Sequence, residues 1–385
     1  MAIPLLDLKA QFRSIKAEVM RAVEEVFDEQ GFILGPRVEQ LEEQLAKYVG
    51  SRFALGVSSG TDALLLSLWA LGVGPGDAVI TTPFTFFATV GSIVRLGARP
   101  LFADIDPETF NISPKALETA LGSPEAKSVK AIVPVHLFGQ CCDMDPIMEL
   151  ARARELYVVE DAAQALGAAY PSGEGEVMAG AMGTTGCFSF FPSKNLGGAG
   201  DGGLITTSDE ELYHKMRSMR THGSHPKEKY RHIHLGGNFR LDALQAAVLL
   251  VKFKYLDEWA AGRRANARRY GELFTQAGLV ERELVRLPVE RWGGQRGHVF
   301  NQYVIRARDR DGLAAHLKQR GIGHAIYYPV PLHLAECLSF LGGKPGDLPE
   351  AERASREVLA LPVYPELTPA QQEEVVGAIA EFYGL

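Results

Sequence analysis

From about residue 53 to 207, short wholly apolar runs alternate with stretches whose apolar positions recur every three to four residues. This pattern predicts βαβ units around a mostly parallel sheet, because a strand buried on both faces has no polar side to show. Strands are expected at 53–59, 78–82, 100–105, 131–137 and 156–161, with helices at 61–71, 84–96 and 145–155 between them. Two further strands, 188–191 and 203–207, follow close together. Amphipathic helices at 8–28 and 38–48 precede the series. A long helix rich in Ala, Leu and Arg is expected from 241 to about 270. Beyond it the pattern changes to a strand at 298–307, a helix at 310–320 and a proline-rich stretch at 327–332.

The fold class expected is therefore α/β. A large domain (1–250) carries a mostly parallel central sheet flanked by helices, and a smaller C-terminal α+β domain (251–385) follows, with the boundary inside the long helix. There is no internal repeat. The length of 385 residues suits one large and one smaller domain. A net charge of -7 argues against a surface built for nucleic acid or an anionic membrane. No apolar run reaches membrane-spanning length, and the start, Met1-Ala2-Ile3-Pro4, lacks a basic-then-apolar leader. Cys141, Cys142, Cys187 and Cys337 have no metal-type spacing and read as reduced thiols, so the cytoplasm is the expected compartment.

Four segments carry candidate chemistry. In Gly186-Cys-Phe-Ser-Phe-Phe-Pro-Ser-Lys-Asn-Leu-Gly197, Lys194 stands past the end of an apolar strand, between serines and glycines. A partly desolvated lysine of lowered pKa is what nucleophilic amine catalysis requires. The alternative is a lysine snorkelling into water. Val158-Val-Glu-Asp161 ends an apolar strand on a carboxylate, where sites of open parallel sheets lie. Pyridoxal phosphate needs such a carboxylate against its ring nitrogen, although an acid capping the next helix gives the same letters. Ser58-Ser-Gly-Thr-Asp62 is a strand-to-helix turn that either cradles phosphate or simply caps the helix. Phe84-Thr-Phe86-Phe87 offers an aromatic face for a ring, or core.

Two other signals lead elsewhere. Gly198-Ala-Gly-Asp-Gly-Gly203 matches a dinucleotide fingerprint, but a strand and not a helix is expected after it, so it reads as a tight turn behind the lysine. His222, His225, His232 and His234 crowd a Lys- and Arg-rich segment with a single carboxylate, Glu228, and no cysteine among them, and read as a solvated loop with no metal.

Together the segments resemble the DegT/StrS family of sugar aminotransferases, within the aspartate aminotransferase-like fold type I enzymes. The likeness runs through Phe32-Ile-Leu-Gly-Pro36, Ser59-Gly-Thr-Asp-Ala63, Glu160-Asp-Ala-Ala-Gln164, Ser189-Phe-Phe-Pro-Ser-Lys194, Gly202-Gly203, Gly237-Asn-Phe-Arg-Leu-Asp242 and Tyr328-Pro-Val-Pro-Leu332. By that resemblance Lys194 would hold pyridoxal 5'-phosphate covalently and Asp161 would face its ring nitrogen. Phe86 would stack on the ring and Gln164 would lie beside it. Gly60, Thr61 and Ser189 would hold the phosphate, completed by Asn238 from the second subunit of a homodimer with shared sites. Arg240 would face the nucleotide-sugar substrate, with Tyr327 and Tyr328 lining its pocket, and an amino acid, glutamate by family habit, would be the donor. The nearest likeness is to enzymes that aminate a UDP-linked 3-keto uronic acid and carry histidine before the motif tyrosine. This chain has Tyr327 there, which predicts a sugar without a carboxylate. Sugar dehydration, which in the family goes with histidine in place of the lysine, and a non-enzymatic regulatory role are the rival readings.

Overall fold

The computed structural model describes residues 2–173 and 175–385. Met1, where the reading of the chain's start begins, and Glu174 lie outside the described residues. Seven strands form the central sheet: β1 (Phe53–Val57), β2 (Ala78–Thr81), β3 (Arg99–Phe102), β4 (Val129–Val133), β5 (Tyr157–Asp161), β6 (Thr185–Ser189) and β7 (Gly203–Thr207). They lie side by side in the order β1-β7-β6-β5-β4-β2-β3. The ladders from β6 to β3 are parallel, and β7 runs antiparallel to both its neighbours. This is the α/β fold with a mostly parallel sheet that the apolar runs predicted.

Burial on both faces follows from strand geometry, in which successive side chains point to opposite sides. Ile80, Ile132, Val158, Phe188 and Leu204 enter one core with Leu41, Leu45, Ile147 and Leu249. Their chain neighbours Val79, Val133, Val159, Cys187 and Ile205 enter the other, with Leu64, Leu66, Leu68 and Met216. The helix Gly60–Ala70 starts where the Ser59 side chain accepts from the Asp62 N–H. The helix expected from 84 begins only at Phe87, because the Phe84 N–H turns back to the Thr82 hydroxyl (3.2 Å) and Phe86 is extended.

Beyond the sheet, Val285–Arg286, Tyr303–Ala307 and Val358–Leu361 form a three-stranded antiparallel sheet. Its core joins Tyr270, Phe274, Tyr303, Leu313 and Ile379 and also takes in Ile3 from the far end of the chain. The helix Arg310–Gln319 is where the pattern put it.

Several expectations need correction. The helix expected from 241 to 270 is two, Ala243–Phe253 and Leu256–Gln276. Tyr255 stacks on Trp259 and bonds Glu18 of the first long helix, so the turn is fixed by tertiary contacts. Ala246 and Leu249 before the turn serve the sheet, whereas Tyr270 and Phe274 after it serve the second core. The strand expected at 298–307 begins at Tyr303. The histidine-rich loop is an exposed hairpin, Ser224–His225 against Glu228–His232. The sequence reading passed over the hairpin Ala169–Ser172/Gly175–Met178 and the helices Pro114–Leu121, Glu210–Met219, Pro349–Glu357 and Pro369–Phe382. Among the described residues no helix is long and apolar enough to cross a membrane.

Candidate active site

The strands β1, β2, β5 and β6 point their carboxyl ends to one side, where an open parallel sheet leaves room for a ligand. The segments leaving those ends wall a cavity of about 460 Å³. Gly60, Thr61, Phe86, Asp161, Gln164, Ser189, Lys194, Tyr327 and Tyr328 all line it. Residues spread over most of the sequence therefore meet in one place.

Asp161 closes β5 and is only 5% exposed. Its Oδ2 accepts from the Thr89 hydroxyl at 2.7 Å and its Oδ1 from the Ala163 N–H at 3.2 Å. Burial pushes its pKa up, while the Thr89 and Ala163 hydrogen bonds and the Lys194 charge pull it back. No helix follows Asp161, so it is not a helix cap. Lys194 lies in the turn after β6, where its N–H bonds the Phe191 carbonyl (2.8 Å). Burial pushes its pKa down to about 8, against the pull of Asp161. About a tenth of its amine is therefore neutral at pH 7, far more than for an ordinary lysine, as nucleophilic and proton-transfer chemistry requires.

At the other end of the cavity stands the amino end of the helix Gly60–Ala70. The Ser59 hydroxyl caps Asp62, and the preceding N–H groups of Gly60 and Thr61 have no partner within the helix. The serine-rich turn is a helix cap, and the two N–H groups it leaves free border the cavity. A Cβ on Gly60 would come within 2.7 Å of the Ser189 Cβ, so glycine is needed for the helix to approach the end of β6 so closely. Phe86 is 62% exposed, an open aromatic face in the cavity wall. Gln164 donates from Nε2 to the Tyr328 hydroxyl (3.0 Å), and its buried Oε1 has no partner. Burial raises the pKa of Tyr327.

Asn238 and Arg240 do not line this cavity in their own chain. Arg240 lines an adjoining space of about 390 Å³ that shares Ser59 and Asp201 with it, and a larger one bounded by the exposed hairpin. Asn238 pairs through its backbone with Thr221. Sequence reasoning missed Thr89 and Gln302. Thr89 stands four residues after Thr85, one turn on in the helix expected from 84, a signal that could have found it. Gln302 lines the cavity from the C-terminal sheet's side, with no local signal in the sequence. Among the described residues no cluster of His, Cys, Asp and Glu takes a metal-ligating arrangement. The glycine-rich run 198–203 leads into β7 and not into a helix, so it is no dinucleotide fingerprint.

Fold and cavity together define an α/β protein with a lysine and a carboxylate in one cavity, beside the amino end of a helix, at the carboxyl ends of parallel strands. Over residues 13–380 the chain matches the DegT/DnrJ/EryC1/StrS aminotransferase family, and it belongs to that family. It is 51% identical to a pleiotropic regulatory protein of Geobacillus stearothermophilus, covering 100% of this chain and 99% of that one. It is 42% identical to a UDP-N-acetyl-3-dehydro-alpha-D-glucosamine 3-aminotransferase of Acidithiobacillus ferrooxidans, covering 98% and 96%. A UDP-2-acetamido-2-deoxy-3-oxo-D-glucuronate aminotransferase of Pseudomonas aeruginosa is 38% identical, with 98% and 99% covered. Among solved structures, NtdA of Bacillus subtilis with bound cofactor PMP superposes with a TM-score of 0.88 at 31% identity, covering 99% of this chain and 83% of that one.

Proposed function

We propose that this protein is a pyridoxal-phosphate-dependent aminotransferase that moves the amino group of an amino acid, glutamate, onto the keto group of a nucleotide-linked sugar, in amino-sugar or surface-polysaccharide biosynthesis. One observation carries the reading: Lys194, of lowered pKa, and the buried carboxylate of Asp161 face the same cavity. The residues fit the cofactor, since a helix amino end closed down by Gly60, an open Phe86 ring and an unpaired Gln164 Oε1 all border that cavity.

When bound, pyridoxal phosphate supplies an electron sink that takes up the charge left as a proton leaves a neighbouring carbon. Lys194 would hold the cofactor through its amine, and that amine, of lowered pKa, is the cavity's group suited to accept and return a proton beside the substrate. Asp161 would face the ring nitrogen and, as a carboxylate, would favour its protonated form. The N–H groups of Gly60 and Thr61 and the Ser189 hydroxyl hold the phosphate. Phe86 supports the ring face, and Gln164 lies beside it.

Asn238 and Arg240 are taken to come from the partner of a homodimer, a reading supported by their absence from the Lys194 cavity of their own chain. Tyr327 and Tyr328 line the sugar side. With tyrosine at 327, and with the relative named for a neutral sugar more similar than the one named for a uronate, the sugar is one without a carboxylate. The separate cores around the seven-stranded and three-stranded sheets support a division near residue 250. A net charge of -7 and the absence of a spanning helix among the described residues fit a cytoplasmic protein that binds neither nucleic acid nor membrane.

The test is turnover on a small panel of keto nucleotide sugars with glutamate, including a neutral sugar and its uronate. The expected result is an amino sugar and 2-oxoglutarate, with a higher kcat/KM for the neutral sugar. Failure to aminate any keto sugar overturns the proposal. A second reading, a regulator, is favoured by the name of the Geobacillus relative. A cofactor absorbance scan beside a gel-shift titration at varied salt separates the two.

A further inference from the structure

The carboxylate of Asp161 is held by a hydroxyl relay that the lysine–carboxylate reading does not require. Thr89, the third residue of the helix Phe87–Arg95, places its Oγ1 2.7 Å from Asp161 Oδ2 and 3.1 Å from Thr85 Oγ1. All three are buried, Thr89 at 1% exposure, Thr85 at 2% and Asp161 at 5%. An ionised carboxylate donates nothing, so the single Thr89 proton points to Asp161 and Thr89 accepts from Thr85. The direction of the relay is thereby fixed from the cavity wall, where Thr85 stands, inward to Asp161. Valine has nearly the shape of threonine and suits the same buried site, so packing alone does not call for a hydroxyl here. The bond from Ala163 N–H to Oδ1 is longer, at 3.2 Å, and leaves that oxygen lone-pair capacity for a ligand.

We propose that Thr89 is a positioning residue for Asp161, whose hydroxyl fixes the carboxylate and holds its negative charge ready for the ring nitrogen of the bound cofactor. The proposal rests on the function proposed above. Thr89 touches neither substrate nor cofactor and acts through Asp161. The titratable groups around Asp161 are Lys194, His136, Cys187 and Tyr328, and none of them replaces the hydroxyl's bond to Oδ2.

The test is a pH titration of the ring nitrogen in holoenzyme loaded with 15N-labelled pyridoxal phosphate, followed by magic-angle-spinning NMR. In the wild type the nitrogen stays protonated through neutral pH. Without that hydroxyl the carboxylate turns from the ring nitrogen, and weakening the charge-assisted bond that holds the ring proton shifts the balance by about tenfold, about one pH unit. Thr89→Val should therefore lose the ring proton at a pH lower by about one unit, and Thr89→Ser should restore the wild-type profile. Thr85→Val, which leaves the bond to Asp161 in place, should move it by less than half as much. Should Thr89→Val not fold, Thr89→Ala carries the same expectation. A side chain that only fills space would alter stability or cofactor occupancy without moving the profile. An unmoved profile in the Val or Ala protein, or a full shift in the Ser protein, overturns the proposal. A wild-type protein that binds no pyridoxal phosphate overturns the underlying reading instead, before any variant is compared.

Discussion

Glu160, the neighbour of Asp161 on β5, offers a measurable link between the fold and the site. Its side chain points away from the cavity and is fully buried. Its Oε1 accepts from the N–H groups of Met182 (2.7 Å) and Gly183 (2.6 Å), and its Oε2 from Gly180 N–H (2.8 Å) and His136 Nε2 (2.9 Å). His136 Nδ1 accepts from the Cys142 N–H, so the ring's proton sits on Nε2 and faces Glu160. Glu160→Ala strands all four donors. At ~1–3 kcal/mol for each unsatisfied buried group the naive sum is ~4–12 kcal/mol. The space left by the side chain admits water, and such losses do not add, which places the expected destabilisation at ~3–5 kcal/mol, the usual cost of breaking a buried charged network. Glu160→Gln keeps one acceptor but turns an N–H against a donor, and should lose roughly half of that. Urea unfolding of the variants reads the magnitude. Hydrogen exchange over residues 180–183 reads its location, since those amides should exchange first. A loss below ~1 kcal/mol, or unchanged protection of that segment, would refute the reasoning.

Three further predictions concern the cavity. Asp161→Ala should lose most transamination while still binding cofactor, because a neutral ring nitrogen makes a poor electron sink; full activity with cofactor bound means the partner has been misidentified. In cofactor-free protein, the rate at which Lys194 combines with a carbonyl reagent should climb with pH as protons leave the amine and level off above about pH 8, whereas an ordinary lysine keeps climbing past about pH 10. A rise continuing to pH 10 contradicts the lowered pKa. Equal amounts of Lys194→Ala and Arg240→Ala proteins, allowed to exchange subunits, should recover roughly a quarter of wild-type activity if each site draws on two chains. Half the dimers are then mixed, and half their sites are whole; no recovery after exchange proven by mass labelling rules out the shared site.

The parallel core was legible because burial on both faces writes itself as unbroken apolar runs, as at Val158 and Val159, which enter opposite cores. Strand ends were less legible. β4 stops at Val133 and not at 137, since Pro134 has no N–H to continue the ladder. The turn at Lys254–Tyr255 was invisible because neither residue is a helix breaker and the bend is imposed by Trp259 and Glu18. In the site, Lys194 and Asp161 stood out because a polar residue at the end of an apolar strand is conspicuous. Thr89 did not, being one of two hydroxyl residues in a largely apolar helix, and Gln302 reaches the cavity from a distant part of the chain. For Asn238 and Arg240 a single chain is not enough, because the residues they are expected to serve belong to a second copy.

Borohydride reduction of the holoenzyme asks whether Lys194 holds pyridoxal phosphate in the cavity it shares with Asp161. The yellow protein should bleach on reduction, and peptide mapping should find one pyridoxyl adduct, on the peptide containing Lys194. Lys194→Ala treated in the same way should carry none. An adduct on another lysine, or no covalent cofactor in the wild-type protein, would contradict the account.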